Sequence, residues 1–445
     1  MARHIDIISN GGLIMYRKFY EELKKWEEDK VQEPLLVIGA RQVGKTWLIK
    51  QFCEDTYQDY IYINLEERKD ISSIFDGNLT PEDILRNISI LLGRSINSDT
   101  AIVIDEIQQS ERAITSLKYF CEAKDNYRII CAGSLLGIKV KRFESSFPVG
   151  KVFIKNMYPM DFEEFLLAAG ENLLRDEIRV AYAKMLQLPD AIHNKALALY
   201  HDYLITGGMP QVVMSYLENE KSVLSLNREL LDYIRLAYLA DMSKYVTNVT
   251  ETAKIAAVYE SVPRQLAKEN PKFKYNEIKG TAIKRDYYGP IDWLAASQMI
   301  YKINKLDSPE SPIKAYENAD SFKIYLSDVG LLSRVCGINL QDLLPDNHNI
   351  YKGAVIENYV VEQLIATGKC LYYFKPAVNM EIDIITSIDD NVVPIEIKSG
   401  RHKKSTSLNN YMERYKPKYV IRISENNFGM MNNIKSIPLY ATFCI

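Results

Sequence analysis

The chain has 445 residues, of which 47% are hydrophobic and 25% are charged, and its 55 basic and 58 acidic residues give a formal net charge of −3. This length is too great for one ordinary core and predicts roughly three or four domains. The composition is typical of a soluble protein, and the net charge argues neither for nor against nucleic acid, so any basic surface has to be local.

Three features of the sequence disfavour whole classes of protein. The six cysteines are scattered without a CxxC pair, which disfavours a zinc site or a disulfide framework and suits reduced thiols. The first residues, MARHIDIISNGG, lack a basic region followed by a long apolar core, so no signal peptide is expected. No run reaches the roughly 20 apolar residues that a membrane helix needs. We therefore expect a cytoplasmic protein that does not contact a membrane.

Short apolar runs alternate with helical patterns over residues 16–160, which predicts a parallel sheet covered on both faces. We assign residues 1–160 to this first domain. The runs expected to form its strands are 34–39, 59–67, 100–106, 127–134 and 152–159.

The segment GARQVGKT, residues 39–46, matches the phosphate-binding pattern GxxxxGK[ST] between a predicted strand and a predicted helix. In that setting the backbone N–H groups and the helix N-terminus face a phosphate. Lys45 would reach the β- and γ-phosphates of ATP, and the Thr46 hydroxyl would bind Mg²⁺. The alternative is an ordinary glycine turn, which the flanking strand and helix disfavour. The residues predicted to bind the nucleotide here are Gly39, Ala40, Arg41, Gln42, Val43, Gly44, Lys45, Thr46 and Trp47.

The segment AIVIDEIQ, residues 101–108, predicts a buried strand with two carboxylates at its end. Asp105 would hold Mg²⁺ through water, and Glu106 would polarise the attacking water. The alternative is that both residues only cap a strand. That alternative is weak beside a phosphate-binding loop, because the loop and the carboxylates serve one metal–phosphate site.

This pairing of loop and acidic strand resembles the AAA-type ATPases. In that family a polar residue at the end of the next strand senses the γ-phosphate, and the resemblance implies this role for Ser134, which follows IICAG. The family also uses arginines from a lid or a neighbouring subunit. Arg41, Arg112 and Arg142 are candidates that the sequence does not rank, and a surface role is equally open for each.

Residues 161–245 have helical patterns throughout, broken by TGGMPQ, and are expected to form a helical lid. Three further helical patterns, ETAKIAAVYESV, PRQLAKEN and PIDWLAASQM, precede two strand-like runs, 299–306 and 322–328. Three helices followed by a β-ribbon resemble a winged helix, which we assign to residues 246–345.

Whether this module reads DNA is open. Its third helix would enter the major groove, but Asp292, Trp293 and Leu294 make that helix a poor groove reader. Contact with DNA through basic residues and a purely structural packing role both remain alternatives. The basic residues that cluster before the helix are Lys272, Lys274, Lys279, Lys284 and Arg285.

Residues 346–445 begin with a helical pattern and continue with strand-like runs, and charges interrupt the hairpin-like segment MEIDIITSIDDNVVPIEIKSG. Asp383 on one strand and Glu396 with Lys398 on the next suit a metal site of the PD-(D/E)XK nuclease type, because side chains two apart share a strand face. Glu357 in the preceding helix would add a third carboxylate ligand, and Glu381 would join the site or stay at its rim.

A basic tract, RHKK, follows this hairpin. It would place Arg401, Lys403 and Lys404 near a substrate phosphate, since basic tracts beside metal carboxylates suit polyanions. The alternative is a nuclease-like fold that binds without cutting.

Eight segments taken together resemble one group of bacterial and archaeal AAA-like ATPases that end in a restriction-endonuclease-like domain. The segments are GARQVGKT, VIDEIQ, AGSLLG, SFPVGK with YPMDFEEFL, YLITGGMPQVV, FKIYLSDVGLL and GAVIENYVVEQL. The chain departs from the group at Gly150–Lys151, where members often have Gly-Arg, and in the longer segment 274–286. The resemblance implies an α/β fold: a P-loop NTPase core with a parallel sheet, a helical lid, a winged-helix-like module and a C-terminal restriction-endonuclease-like α/β domain.

The function predicted from these features is Mg²⁺-dependent ATP binding and hydrolysis, coupled to DNA binding or cleavage by the C-terminal domain. The rival is a nucleotide-gated switch whose C-terminal domain docks DNA or a partner without cutting. Mn²⁺ is an alternative metal at the C-terminal site, and oligomers would form through the ATPase domains. The residues predicted to carry the chemistry are Lys45 and Glu106 for ATP and Asp383, Glu396 and Lys398 for DNA.

Overall fold

The structure is a computed structural model that describes residues 15–29, 33–97, 99–134, 147–245, 248–268, 272–344, 347, 349–377, 380–398 and 406–445. The chain divides into two compact units. The N-terminal unit contains Tyr16–Tyr158 and Ala296–Gln298, and the C-terminal unit is built mainly from Pro159–Ala295 and Met299–Ile445. The four-part division predicted from the sequence stays a prediction.

The N-terminal unit contains a five-stranded sheet in the order β2-β3-β4-β1-β5, in which every neighbouring pair is parallel. This confirms the predicted parallel sheet. The strands are β1 (Leu35–Ile38), β2 (Tyr60–Asn64), β3 (Ala101–Asp105), β4 (Ile129–Gly133) and β5 (Phe153–Asn156). Strands β1, β3 and β4 are buried along their whole length, as expected for central strands of a parallel sheet covered on both faces.

Helices cover this sheet and bury their apolar faces in its core. Ile114, Leu117 and Phe120 lie at helical spacing and pack in one cluster with Ile102 and Ile129 of the sheet. The helices described in this unit are α1 (Phe19–Glu28), α2 (Lys45–Thr56), α3 (Lys69–Ser72), α4 (Pro81–Leu92) and α5 (Glu111–Glu122).

The C-terminal unit begins with a largely helical region, as predicted for residues 161–245. The helices that precede the first strand of this unit are α6 (Phe162–Ala168), α7 (Asn172–Lys184), α8 (Asp190–Thr206), α9 (Pro210–Glu218), α10 (Glu229–Tyr245), α11 (Val249–Leu266) and α12 (Lys284–Ala296). No helix in the described ranges is long and apolar enough to cross a membrane.

The prediction of two separate helices at ETAKIAAVYESV and PRQLAKEN is wrong. They form the single helix α11, which runs through Pro263. A proline inside a helix normally ends or kinks it. Here Val258 and Val262 before the proline and Leu266 after it are all buried, so tertiary packing of one continuous face outweighs the local signal. The arrangement of three helices expected for a winged helix is therefore not present in this form.

The C-terminal unit also contains an eight-stranded mixed sheet in the order β12-β13-β11-β10-β9-β8-β6-β7. Its strands are β6 (Ile300–Leu306), β7 (Glu317–Leu326), β8 (Tyr372–Ala377), β9 (Met380–Ile388), β10 (Asn391–Ile397), β11 (Val420–Ser424), β12 (Gly429–Met431) and β13 (Ile434–Pro438). The predicted ribbon exists, because β6 pairs with β7 antiparallel, but it is not an isolated wing. Strand β6 also pairs with β8 in parallel, which joins the ribbon to the strands of the last hundred residues.

The remaining helices of the C-terminal unit are α13 (Val329–Val335), α14 (Leu340–Leu343), α15 (Lys352–Ala366) and α16 (Thr406–Tyr415). The predicted hairpin is formed by β9 and β10, which pair antiparallel with Ile388 opposite Asn391. Asp389 and Asp390 form its turn with φ of 47° and 58°, as a two-residue turn with positive φ requires. A restriction-endonuclease-like fold for this region stays a prediction.

Candidate functional site

The predicted phosphate-binding loop lies between the end of β1 and the start of α2. Gln42 and Gly44 have φ of 66° and 93°, so two residues of the loop adopt the left-handed conformation. A Cβ atom at Gly39 would lie 2.5 Å from the carbonyl oxygen of Met157, which leaves no room for any other residue at that position. The glycines of the pattern are thus required by the shape of the loop.

Lys45 is the first residue of α2 and is almost fully buried. Its Nζ donates hydrogen bonds of 2.8 Å to the carbonyl oxygens of Gly39 and Ala40. These contacts fold the Lys45 side chain back over the loop. In such a loop the backbone N–H groups and the N-terminus of the following helix usually bind a phosphate. Lysines at this position of a phosphate-binding loop contact the β- and γ-phosphates of a nucleotide, and the same role for Lys45 stays a prediction.

Asp105, the last residue of β3, lies beside the loop. Its Oδ2 accepts hydrogen bonds from Thr46 Oγ1 at 2.6 Å and from Tyr62 Oη at 2.8 Å, and its Oδ1 accepts one from the Glu106 N–H at 2.9 Å. Hydroxyl and carboxylate oxygens are the ligands that Mg²⁺ prefers, and the ion usually takes only one or two from the protein beside substrate phosphates and water. The pair Thr46 and Asp105 fits that ion.

Tyr62 was not predicted from the sequence. It lies on β2, where Asn64 is paired with Asp105, so its side chain stands two residues before the acidic end of the neighbouring strand. Burial, with Asp105 next to it, raises the pKa of Tyr62 and keeps its hydroxyl protonated as a donor. The Nζ of Lys50 lies 3.7 Å from the centre of its ring. The alternating pattern YIYIN was the only sequence signal, and it does not point to this contact.

Glu106 follows β3 with φ of 50°, a conformation that is uncommon for a non-glycine residue. Its carboxylate accepts a hydrogen bond from the Gln108 side-chain amide. Burial raises the pKa of Glu106, and the negative charge of Asp105 adds to the effect, whereas Gln108 opposes it. A carboxylate with a raised pKa at this position is suited to accept a proton from water.

Ser134 comes directly after β4 and is buried, at the same edge of the sheet as Asp105.

Of the candidate arginines, Arg112 is used within the fold. Its Nε and Nη2 donate to the carbonyl oxygens of Phe75 and Gly77 at 2.6 and 2.7 Å. Arg142 lies outside the described residues.

Arg17 is a second residue of this site that the sequence did not reveal. It is 5% exposed, and its Nη1 donates to the carbonyl oxygen of Val43 in the loop at 2.7 Å. Its Nη2 donates to the carbonyl oxygen of Tyr158 at 2.6 Å. One guanidinium group thus ties the phosphate-binding loop to the segment that follows β5.

In the C-terminal unit, a cavity of about 370 Å³ brings the predicted nuclease-type residues together. Their charges do not form an exposed hairpin face, since Glu396 is 3% exposed and Asp383 is half-buried. The cavity lining includes all four predicted residues, Glu357, Asp383, Glu396 and Lys398, together with Glu381 and Lys323.

Each carboxylate of the cavity has a partner within the protein. Asp383 Oδ2 accepts a 2.8 Å hydrogen bond from the Ile397 N–H on the neighbouring strand, and Lys398 Nζ lies 2.8 Å from Glu396 Oε1. Burial, followed by the charge of Glu357, raises the pKa of Asp383 to about 7. Burial and the neighbouring charge of Glu357 therefore oppose ionisation of Asp383 in this hairpin.

The described residues contain no group of three or more His, Cys, Asp or Glu side chains that could hold a metal ion. The structure thus gathers Glu357, Asp383 and Glu396 around one cavity without arranging them as a ligand set for Mg²⁺ or Mn²⁺. Their assignment as metal ligands stays a prediction. The predicted phosphate contacts Arg401, Lys403 and Lys404 lie outside the described residues.

The predicted basic cluster extends into α12, which begins at Lys284, and local partners neutralise part of the charge in this region. Lys284 forms an ion pair with Asp320, and Lys268 Nζ lies 2.6 Å from Glu277 Oε1 in the same region. On α12 itself Trp293 and Leu294 are buried, so these two side chains do not project toward a groove. These contacts favour the packing role over DNA reading for this segment.

Comparison with known families agrees with the N-terminal geometry. Residues 31–166 match the family of an AAA domain. Residues 197–342 and 352–442 each match a domain of unknown function. The parallel sheet, the loop with its acidic strand and the AAA match together support a P-loop ATPase of the AAA-like type. Among curated proteins no sequence matches this chain.

Three solved structures show distant similarity. The Walker-type ATPase PABY2304 of Pyrococcus abyssi is 15% identical, with 72% of this chain and 96% of that chain covered and a TM-score of 0.45. The Aeropyrum pernix ORC1 protein in complex with DNA is 15% identical, with 72% and 93% covered and a TM-score of 0.31. Cdc6p of Pyrobaculum aerophilum is 10% identical, with 74% and 96% covered and a TM-score of 0.26.

Proposed function

We propose that the chain is a Mg²⁺-dependent ATPase whose nucleotide site is the loop 39–46 with Asp105 and Glu106. The observation that carries the proposal is the hydrogen bond of 2.6 Å between Thr46 Oγ1 and Asp105 Oδ2, which joins the loop and the acidic strand into one site. Mg²⁺ held there would neutralise charge on the β- and γ-phosphates.

The protein's own groups have separate tasks in this proposal. Lys45 exchanges its two carbonyl partners for phosphate oxygens, and the loop N–H groups bind the same phosphates. Glu106 accepts a proton from the attacking water, a role worth roughly 10²–10⁴-fold in rate. Ser134, buried at the end of β4, contacts the γ-phosphate side of the site.

The test measures nucleotide binding and phosphate release on the full chain. A Lys45→Ala protein should lose binding of a fluorescent ATP analogue. A Glu106→Gln protein should bind the analogue and release phosphate from ATP at least about 100-fold more slowly than the wild type. Lys25→Ala, an exposed substitution on α1, serves as the control and should keep both properties. Phosphate release by Lys45→Ala at the wild-type rate would contradict the site.

For the C-terminal unit we propose a DNA contact at the cavity of Asp383, Glu396 and Lys398, with nucleotide state setting its affinity. The supporting observation is that residues of α15, β9 and β10 meet there, with Lys268 and Lys398 supplying positive charge at its wall. Oligomers that form through the ATPase domains belong to the same proposal.

Cleavage of the bound DNA is the second candidate, favoured by the adjacency of Asp383 and Glu396 on paired strands. Plasmid and single-stranded DNA would be incubated with the protein and Mg²⁺ or Mn²⁺, with and without ATP, beside an Asp383→Asn control. Cutting by the wild type alone establishes cleavage. Nucleotide-dependent binding without cutting establishes the docking form. A protein that neither cuts nor binds DNA would remove DNA from the proposal.

A further inference from the structure

Lys323 is the feature of the C-terminal cavity that the nuclease-type pattern does not explain. It lies on β7 between Phe322 and Ile324 in a run that is buried along its length, and it is itself 1% exposed. A lysine ammonium in such a place is costly unless acids surround it. The groups around the Lys323 ammonium therefore determine which ligand the cavity can bind.

Of the acids that surround Lys323, Glu357 was expected to bind a metal, and Glu381 was expected to join that site or stay at its rim. Its Nζ lies 3.0 Å from Oε1 of Glu357 and 3.3 Å from Oε1 of Glu381. The same Glu357 oxygen accepts a 2.6 Å hydrogen bond from Tyr325 Oη, two residues along the strand. The ammonium also lies 5.2 Å from the centre of the Tyr373 ring, a distance that suits a cation–π contact.

The other acids of the cavity have basic partners as well. Glu381 pairs with Lys375 through its second oxygen, and Glu396 lies 2.8 Å from Lys398 Nζ and 3.6 Å from Arg422 Nε. Four carboxylates line the cavity, namely Glu357, Glu381, Asp383 and Glu396. Divalent ions take carboxylate oxygens as ligands. Here three of these carboxylates, Glu357, Glu381 and Glu396, already face basic side chains.

The protonation of Lys323 agrees with this geometry. Burial lowers the pKa of a lysine, yet the charges of Glu357, Asp383 and Glu381 together raise the pKa of Lys323. Burial likewise opposes ionisation of Glu381, and Lys323 and Lys375 nevertheless lower its pKa. The ammonium of Lys323 and the carboxylate of Glu381 therefore stay charged together at neutral pH.

We propose that Lys323 is the resident cation of this cavity, held by Glu357 and Glu381 in the place that a divalent ion takes in a nuclease-type site. Glu357 is then a positioning residue for Lys323 and not a metal ligand. A ligand that enters the cavity meets Glu357, Glu381 and Glu396 already paired with basic side chains. The inference concerns the same cavity as the proposed DNA contact and does not depend on DNA being its ligand.

The first arm of the test measures Mn²⁺ binding to the full chain by electron paramagnetic resonance, without nucleotide. All proteins in this arm carry Asp105→Asn, which removes the metal ligand of the ATP site. A further Asp383→Asn substitution shows whether an ion is bound at the cavity. Adding Glu357→Gln should leave the Mn²⁺ binding curve unchanged, whether or not an ion binds. A weakening of Mn²⁺ binding by Glu357→Gln, with the fold intact by circular dichroism, would overturn the proposal.

The second arm tests the contact between Lys323 and Glu357 by stability. Lys323→Met and Glu357→Gln each break a buried ion pair, and we expect each to lower the denaturation midpoint. In the double variant, the second substitution should lower the denaturation midpoint by about half as much as it does alone, or by less, because its partner charge is already gone. Additive losses would overturn the proposal. If Lys323→Met does not fold alone, rescue of folding by Glu357→Gln counts as coupling, and failure of rescue counts against it.

Discussion

The backbone N–H of Gly208 donates a 2.6 Å hydrogen bond to Oδ2 of Asp328, 120 residues further along the chain. The other oxygen of this carboxylate accepts from the Leu331 N–H at 2.9 Å and so caps α13. One buried side chain therefore fixes the turn between α8 and α9 and starts a distant helix. The segments TGGMP and SDVGLL, which look like separate motifs in the sequence, form a single packing unit in the C-terminal unit.

Replacing Gly208 tests how tight this packing is. A Cβ atom at this position would lie 2.0 Å from the carbonyl oxygen of Met160, so Gly208→Ala should destabilise the protein by about 3 kcal/mol or more. The measurement is the urea midpoint by circular dichroism. Gly289→Ala is the matched control, since Gly289 lies within α12 with nothing near its Cβ position, and it should be neutral or slightly stabilising. Equal midpoints for the two variants would contradict the packing argument.

The same carboxylate predicts how stability depends on pH. Burial raises the pKa of Asp328 to about 6, against the effect of the Gly208, Leu331 and Gly330 N–H groups. An unfolded aspartate has a pKa of about 3.9, so the folded state holds the proton more tightly between these values. The free energy of unfolding should therefore fall as pH rises from about 4 to about 6 and should level off above, with a total loss of about 3 kcal/mol from this group.

Asp328→Asn should remove this part of the pH dependence, and the exposed substitution Asp176→Asn should keep it. The measurement is denaturation at a series of pH values for the three proteins. Other buried acids contribute to the wild-type curve, and Glu362 has a pKa raised by burial as well. The difference between wild type and Asp328→Asn is therefore the decisive quantity, and a difference that does not change with pH would contradict the assignment.

The parts of the site that are contiguous in sequence were predictable. The loop pattern at 39–46 has a glycine, Gly44, where the backbone adopts positive φ, and that requirement is local. The strand end at Asp105 and Glu106 and the hairpin turn at Asp389 likewise depend on neighbours along the chain. The loop, the strand end and the turn were predicted as elements from these local patterns, whereas the chemical roles of their residues stay predictions.

Contacts that join distant segments were not predictable. Arg17 reaches the loop from 26 residues away, and Lys323 reaches Glu357 from 34 residues away. Nothing in either local sequence distinguishes these side chains from solvated charges. The continuity of α11 through Pro263 was missed for a related reason, because the buried face that carries the helix past the proline exists only in the folded chain.

Tyr62 should act as a positioning residue for Asp105. Tyr62→Phe keeps the ring beneath Lys50 and removes the hydroxyl that donates to Asp105 Oδ2 at 2.8 Å. We expect the Mg²⁺ concentration for half-maximal ATP hydrolysis to rise about tenfold, the equivalent of one hydrogen bond to a charged group. Binding of a fluorescent ATP analogue in the presence of a chelator should not change.

Tyr60→Phe is the matched control for Tyr62→Phe. Tyr60 lies on the same strand, and its hydroxyl donates to Glu54 at 3.2 Å on the exposed side. Its substitution should leave the Mg²⁺ dependence as in the wild type. If both tyrosine variants shift the Mg²⁺ dependence equally, the effect belongs to the strand and not to the contact with Asp105.

Arg17 should control the affinity of the loop for nucleotide. Arg17→Met removes the two hydrogen bonds to Val43 and Tyr158, so the loop loses a tether and ATP affinity should fall about tenfold. Arg17→Lys keeps the charge but lacks the forked donor geometry and should have an intermediate affinity. Titration with a fluorescent ATP analogue measures the change. Unchanged affinity in Arg17→Met, at an unchanged melting temperature, would show that the tether does not shape the loop.

Gln108 should set the pH range in which Glu106 works. Its amide donates to the Glu106 carboxylate and opposes the increase in pKa that burial and Asp105 cause. A carboxylate that accepts a proton from water must be ionised, so hydrolysis declines as pH falls through its pKa. Gln108→Leu removes the donor and raises that pKa further, and the acid limb of the rate profile should move to higher pH. Gln109→Leu, the neighbouring substitution, should leave the limb in place. A limb that stays unchanged in Gln108→Leu would mean that Glu106 is not the group titrating in the reaction, and the role of base would pass to another residue of the site.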